Sequence, residues 1–272
     1  MRLELKRKEI LFISSVTLFF LIVSIAGWFM FGEIIFGVLG TLAIALLLVG
    51  QIKLYHMLIK FHDARYDDYR QIESLFSLFS LLKLKAPLPP MRDWAASPDL
   101  LKTIVSVIYE TKPETIFELG SGVSTIIAAY CLKNLGRGSI VSFDNDPHFS
   151  SVSKKNLTGH GLQDTGDVVY APLKEIEIHG DKWLWYDTEK LDDIESIDLL
   201  IVDGPPETKQ FMARYPALPI LFDRLSKNAV IIADDTKRDQ ECKTVEMWLK
   251  EFDCLSLERI PTEKGVCVLR KN

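Results

Sequence analysis

The sequence lacks the marks of several whole classes of protein. Cysteine is scarce: Cys131, Cys242, Cys254 and Cys267 stand far apart, without metal-ligand or disulfide spacing. That argues against a zinc module or a disulfide-framed domain and fits a reducing compartment. Cys131 and Cys267 lie in apolar runs and read as buried thiols. Positive charge is not in excess. A net charge of −5 leaves no basic face of the kind that holds nucleic acid. Internal repeats, low-complexity tracts and a signal-peptide cleavage pattern are also missing.

Charge itself is absent from two stretches, Ile10 to Phe31 and Ile34 to Ile52. Each is close to the roughly 20 apolar residues that cross a bilayer as a helix. Only Gly32-Glu33 separates them. One unbroken helix over both would run roughly 60 Å, twice the hydrocarbon thickness, so the expectation is a two-helix transmembrane hairpin, with a one-leaflet re-entrant hairpin as the alternative. Arg2, Lys6, Arg7 and Lys8 precede it; Lys53, Lys60, Arg65 and Arg70 follow it. Under the positive-inside rule both termini, and everything after the hairpin, face the cytoplasm.

Three segments follow from this reading: a membrane hairpin over 1–54, with spans near 10–31 and 34–52, a linker over 55–90 and a globular domain over 91–272. In the linker, Tyr66, Tyr69, Ile72, Leu75, Phe76, Phe79 and Leu82 recur at helical steps opposite Asp67, Asp68, Arg70 and Glu73. The pattern predicts an amphipathic helix, docked on its own domain or forming the seam of a homodimer. Lys85-Ala86-Pro87-Leu88-Pro89-Pro90 stops it.

Beyond Pro90 strands alternate with helices. Strands are predicted at Thr115–Leu119, Ser139–Phe143, Val168–Tyr170, Leu199–Val202 and Val230–Ala233, and helices at Pro98–Thr111, Ser124–Leu135, Pro147–His160 and Leu218–Leu225. This alternation implies a parallel sheet covered on both faces. The rhythm then breaks. Leu255–Ile260 and Val266–Arg270 are joined too closely for a crossover helix, so they pair antiparallel. Glu175–Ile178 and Trp183–Tyr186 flank His179-Gly180-Asp181 as a small inserted hairpin.

In such a sheet ligands bind beyond the carboxyl ends of the strands. Here those ends are acidic: Glu118 before a Gly120-Ser121-Gly122 turn, Asp144-Asn145-Asp146-Pro147, Asp203-Gly204-Pro205-Pro206, and Asp234-Asp235. Four acidic ends on one rim repel each other unless a ligand or cation joins them. Gly120 and Gly122 let a ligand touch the backbone. The next helix offers free N–H groups to an anion, with Ser124 and Thr125 adding hydroxyls. Asp144, about 25 residues on, is placed to accept hydrogen bonds from the two hydroxyls of a ribose. The site therefore takes a nucleoside with a small anionic group at its other end. A dinucleotide would want a third glycine where Thr125 stands. S-adenosylmethionine (SAM) fits better.

On Phe117-Glu118-Leu119-Gly120-Ser121-Gly122, Phe143-Asp144-Asn145-Asp146-Pro147, Asp198–Gly204 and the antiparallel last strand, the chain from about Pro87 to Arg270 resembles the class I SAM-dependent methyltransferases. The resemblance implies an α/β, Rossmann-like seven-stranded sheet with the last strand antiparallel. It also implies a cofactor set comprising Glu118, Gly120, Ser121, Gly122, Ser124, Asp144, Asn145, Ala171 and Asp203. Glu118 and the turn would line the methionine end, Asp144 the ribose, and the segment at Ala171 the adenine. Relatives carry an acidic residue near this last point, where this chain has Ala171-Pro172-Leu173. Asp203 with Asp234-Asp235 further resembles the catechol-type, cation-dependent O-methyltransferases, which implies Mg²⁺ on Asp203, Asp234 and Asp235 and a catalytic place for Asp203. The alternative reading of Asp234-Asp235 is a cap on the next helix.

Amino-directed methylases carry an N-P-P-Y signature, and Asp203-Gly204-Pro205-Pro206 lacks its amide and aromatic. That tilts the acceptor toward oxygen, on a small molecule, glycan or lipid near the membrane. The alternatives are a non-catalytic SAM-binding scaffold and, less well matched, an NAD-dependent oxidoreductase. Arg92 and Trp94 are read as a lid or as mere neighbours of a Ser97 N-cap, Arg214-Tyr215-Pro216 as an acceptor loop or a solvated one, and Trp183, Trp185 and Tyr186 as hairpin packing. His148 and His160 receive no role.

Overall fold

The computed structural model describes residues 7–31, 33–92, 94–191 and 194–272. The chain divides into two compact units, Met1–Tyr66 and Asp67–Asn272. Helix α1 covers Arg7–Phe31 and α2 covers Glu33–Leu81. The expected turn residue Gly32, and the flanking Arg2 and Lys6, lie outside the described residues. The linker helix is not a separate element: it continues the second apolar span as one helix, because no proline interrupts 33–81 and no glycine follows Gly50. Among the described residues, 37–81 is the helical stretch long and apolar enough to cross a membrane; Leu18–Met30 is a shorter apolar one. Leu46, Leu47 and Leu48 are each more than half exposed. At 100° per residue they cover most of the helix circumference.

The end of α2 belongs to the second unit, and its buried face differs from the expected one. Gln71, Ser74, Leu78 and Leu82 are buried, whereas Tyr69, Ile72, Phe76 and Phe79 stay exposed. Leu78 and Leu82 join the core beneath α3, Pro98–Thr111. The polar–apolar periodicity was right for a helix. It did not reveal which stripe the domain covers, because the covered stripe includes polar Gln71, whose Oε1 accepts from Asp99 N–H, and Ser74. The Pro-rich stop is stapled to the domain by a relay: Lys85 N–H donates to Tyr130 Oη (2.8 Å), which lies 2.9 Å from His160 Nδ1.

The main sheet comprises β1 (Thr115–Leu119), β2 (Ser139–Asp144), β3 (Gly166–Tyr170), β6 (Ile197–Val202), β7 (Leu225–Ala233), β8 (Leu255–Ile260) and β9 (Val266–Lys271). Its order is β3-β2-β1-β6-β7-β9-β8. All neighbours to β7 pair parallel, and β9 runs antiparallel to both β7 and β8. The inserted hairpin is β4 (Leu173–Ile178) with β5 (Asp181–Tyr186). Helices α3, α4 (Val123–Leu135) and α5 (Pro147–Gly159) give the core of one face. The hairpin, α6 (Ala217–Leu221) and α7 (Asp239–Glu251) give the other. Strand alternation sends Ile116 to the first core and Phe117 and Leu119 to the second. Helix α7 is absent from the sequence-based elements although Glu241, Thr244, Val245 and Trp248, its buried residues, recur at helical spacing.

Candidate functional site

The carboxyl ends of the strands form one continuous row. The ladder runs one residue past each strand: Ala171 N–H donates to Asp144 O, Gly120 N–H to Phe143 O, Asp203 N–H to Leu119 O and Asp234 N–H to Val202 O. This registers β1, β2, β3, β6 and β7 side by side and brings Asp144, Gly120, Asp203 and Asp234 to a common rim. Between β1 and β6 the winding reverses, which is where open α/β sheets hold ligands. Gly120 takes φ 104°, a backbone conformation that favours glycine.

At the turn, Ser121 Oγ donates to Asp144 Oδ2 at 2.5 Å and lies 2.9 Å from Ser153 Oγ. Asp144 Oδ1 accepts from Asp146 N–H. Asp144 is therefore aimed at the glycine turn, and burial lifts its carboxyl above the usual range. Asp146 caps α5, accepting from His148 and Phe149 N–H, which frees Asp144 from that duty. Asn145 is half-buried beside it.

Glu118, expected at the methionine end, lies beneath the glycine turn and not on its open face. Strand alternation turns it inward beneath α4, where Oε2 accepts from Thr125 Oγ1 and Ser142 Oγ, both at 2.5 Å. It is fully buried, and burial pushes its carboxyl up to about 7, against the pull of the Ser124, Ser142 and Thr125 hydroxyls. Thr125 Oγ1 in turn accepts from Gly122 N–H, so Glu118 braces the turn from below. Ala171 is fully buried and its N–H is occupied by Asp144 O, so it offers adenine no backbone donor. Ser124 is buried in the first turn of α4.

Beyond β6 and β7 the side chains of Asp203, Asp234 and Asp235 converge, with one oxygen from each lying within 4.8 Å of the others. Arg214 is neither a solvated loop residue nor free for an acceptor. It is 5% exposed, and its Nη2 donates to Asp235 Oδ2 at 2.7 Å and to Asp203 Oδ1 at 3.2 Å, while Nη1 donates to Asp234 O. Arg238 also reaches Asp235 Oδ2. Burial pushes Asp203 up to about 6, with Arg214 opposing, and raises Asp234 well above the carboxylate range. Asp234 and Asp235 do not cap α7, whose N-cap position is Arg238.

The remaining candidates are structural. Ser97 occupies the N-cap position of α3 with Pro98 following, but its hydroxyl donates to Asp99 Oδ1, and it is Asp99 that accepts the helix N–H of Leu100. Arg92 is tied to Glu263 and Asp68, and Trp94 is exposed. Trp185 and Tyr186 are buried in the core under the hairpin. Gln210 clamps the loop after β6 to the hairpin through both Leu184 N–H and Leu184 O.

The sheet is parallel up to its reversed last strand and carries a glycine turn and Asp144 at its switch point. Residues 117–236 match the family described as methyltransferase domain. Among curated protein sequences none matches. Solved structures share the fold. An S-adenosylhomocysteine (SAH)-bound methyltransferase of Podospora anserina gives a TM-score of 0.53 at 17% identity, covering 74% of this chain and 87% of that one. The O-methyltransferase TomG of Streptomyces achromogenes, in complex with SAM, gives 0.51 at 13% identity over 67% and 83%. An O-methyltransferase of Bacillus cereus, in complex with SAH, gives 0.50 at 14% identity over 74% and 90%.

Proposed function

We propose that this chain is a membrane-anchored enzyme that transfers the methyl group of SAM to an oxygen nucleophile. The observation that carries this reading is the meeting of Asp144 with the glycine turn, one strand away from Asp203. Asp144 accepts the ribose hydroxyls once Ser121 yields its bond. The first N–H groups of α4 and the Ser124 hydroxyl take the cofactor's carboxylate. SAM supplies a methyl carbon on a positively charged sulfur. Asp203, the most open carboxylate of its cluster at 21% side-chain exposure, faces the acceptor. Asp203, whose carboxyl burial raises to about 6, would take the acceptor's hydroxyl proton as the methyl is transferred.

The acidic cluster fits a divalent cation. Both carboxylate oxygens of Asp234 and Oδ1 of Asp235 are buried without a hydrogen-bond partner, while Arg214 occupies only Asp203 Oδ1 and Asp235 Oδ2. Asp203, Asp234 and Asp235 would hold Mg²⁺ through the remaining oxygens. Bound there, it would acidify an acceptor hydroxyl.

Oxygen as acceptor is supported by the Asp203-Gly204-Pro205-Pro206 segment and by neighbours solved as O-methyltransferases. The exposed apolar circumference of α2 supports a membrane anchor, and the anchor in turn supports a lipid, glycan or other acceptor at the bilayer. The exposed stripe Tyr69, Ile72, Phe76 and Phe79 supports pairing of α2 with a second copy.

Titration calorimetry on the full chain in detergent tests the cofactor. SAM is expected to bind and NADH not to, and the reverse result ends the proposal. Asp144→Ala should weaken SAM by about 1.5–3 kcal/mol, the scale of hydrogen bonds to a charged group. Unchanged affinity removes the ribose assignment.

A further inference from the structure

Tyr186 ends the hairpin that this chain inserts between β3 and β6, and it is only 2% exposed. Its ring packs on Phe143 at 6.1 Å between centroids, and its hydroxyl reaches across the switch point. A Cβ placed on Gly204 would stand 2.3 Å from Tyr186 Oη and 3.1 Å from Gly120 N. The hydroxyl, the glycine turn and the residue after Asp203 thus share one small space. Among the described residues Tyr186 Oη shows no hydrogen bond, and it is not among the fully buried polar atoms, so the oxygen stays open to a ligand at the switch point. The packing that carries it there is well determined on both sides: Leu173 pairs with Tyr186 across the hairpin, and Gln210 holds the same hairpin at Leu184.

The charges around it select a ligand. Asp144, Asp203 and Glu118 all act on the phenol, with Arg214 opposing, and with burial they hold it neutral, far above its ordinary pKa. A neutral phenol cannot serve as a base here. What it offers is an oxygen lone pair facing the Asp144 and Asp203 side of the switch point. That environment disfavours an anion and favours a cationic centre.

We propose that Tyr186 Oη is a ligand-contacting group of the methyl-transfer site and receives the positively charged sulfonium end of the cofactor. This rests on the SAM-binding reading above. The oxygen accepts weak hydrogen bonds from the polarised methyl and methylene C–H groups beside the sulfur. The contact is stronger for SAM, which is a cation at sulfur, than for SAH, which is neutral there. Tyr186 thereby favours the loaded donor over the spent product. Gly204 has no side chain because the hydroxyl needs that space.

The test compares both ligands on the full chain in detergent, by calorimetry, for the unaltered protein and Tyr186→Phe. The phenyl ring keeps the packing, and an apparent melting temperature near that of the parent verifies it. Tyr186→Phe is expected to lower SAM affinity about threefold to tenfold relative to SAH. Gly204→Ala, which pushes the hydroxyl aside without removing it, should shift the SAM-to-SAH ratio the same way. A ratio unchanged in both variants overturns the proposal, as does tighter binding of both ligands, which would make the hydroxyl a plug. If the unaltered chain binds neither ligand, it is the cofactor reading that fails.

Discussion

A carboxyl as deeply buried as that of Glu118 titrates late, and its titration is coupled to folding. In the folded chain it holds its proton up to about pH 7, whereas in the unfolded chain it releases it near 4.5. Between these values the folded state binds more protons, so this group's contribution to stability falls as pH rises through the window and stays low above it. Glu118→Gln keeps an acceptor for Thr125 and Ser142 but cannot ionise. Its apparent melting temperature should therefore decline less than the parent's between pH 5 and pH 8, by the equivalent of about 3 kcal/mol at most. Parallel decline of the two proteins would show that the carboxyl is not held neutral.

Asp234 presents the other residue-scale question. Two buried oxygens without partners are expected to take a cation, so Mg²⁺ should raise the melting temperature of the full chain. The gain is about 2.7 kcal/mol at a hundredfold excess over Kd. Asp234→Asn should abolish that shift. No shift in the parent protein would mean that Arg214 alone balances the cluster.

At the level of elements, β1, β8 and α3 have the bounds that the sequence predicts, because Gly, Pro and charged residues punctuate them sharply. Helix α7 is legible in the spacing of Val245 and Trp248 but missed, because its buried face also holds Glu241 and Thr244 and so reads as polar. The site divides the same way. Gly120 and Asp144 are readable because they follow strand ends at a known spacing. Arg214 and Tyr186 are not, because their partners lie on other strands and only folding brings them together. Gly204, directly after an acidic strand end, is the local signal that something packs there. The stripe on α2 shows a further limit, since periodicity marks a helix without saying which face is covered. Phe76→Glu, placed where the helix is 74% exposed, should convert a detergent-solubilised dimer to monomer by light scattering, with the fold unaffected. A parent already monomeric refutes the pairing.

For the whole molecule, the apolar, exposed run of α2 predicts behaviour that the second compact unit alone would not show. The full chain is expected to sediment with membranes and to resist alkaline carbonate extraction, while a chain lacking residues 1–52 is released. The proposed orientation, with both termini on the cytoplasmic side, predicts that added protease digests the domain in inside-out vesicles and spares it in right-side-out ones. Extraction by carbonate would rule out a spanning anchor. The Arg214 guanidinium bears on how this molecule reaches its fold. Because the chain carries its own counter-ion among Asp203, Asp234 and Asp235, the acidic rim does not fly apart by self-repulsion. Folding is thereby released from any need for an outside cation.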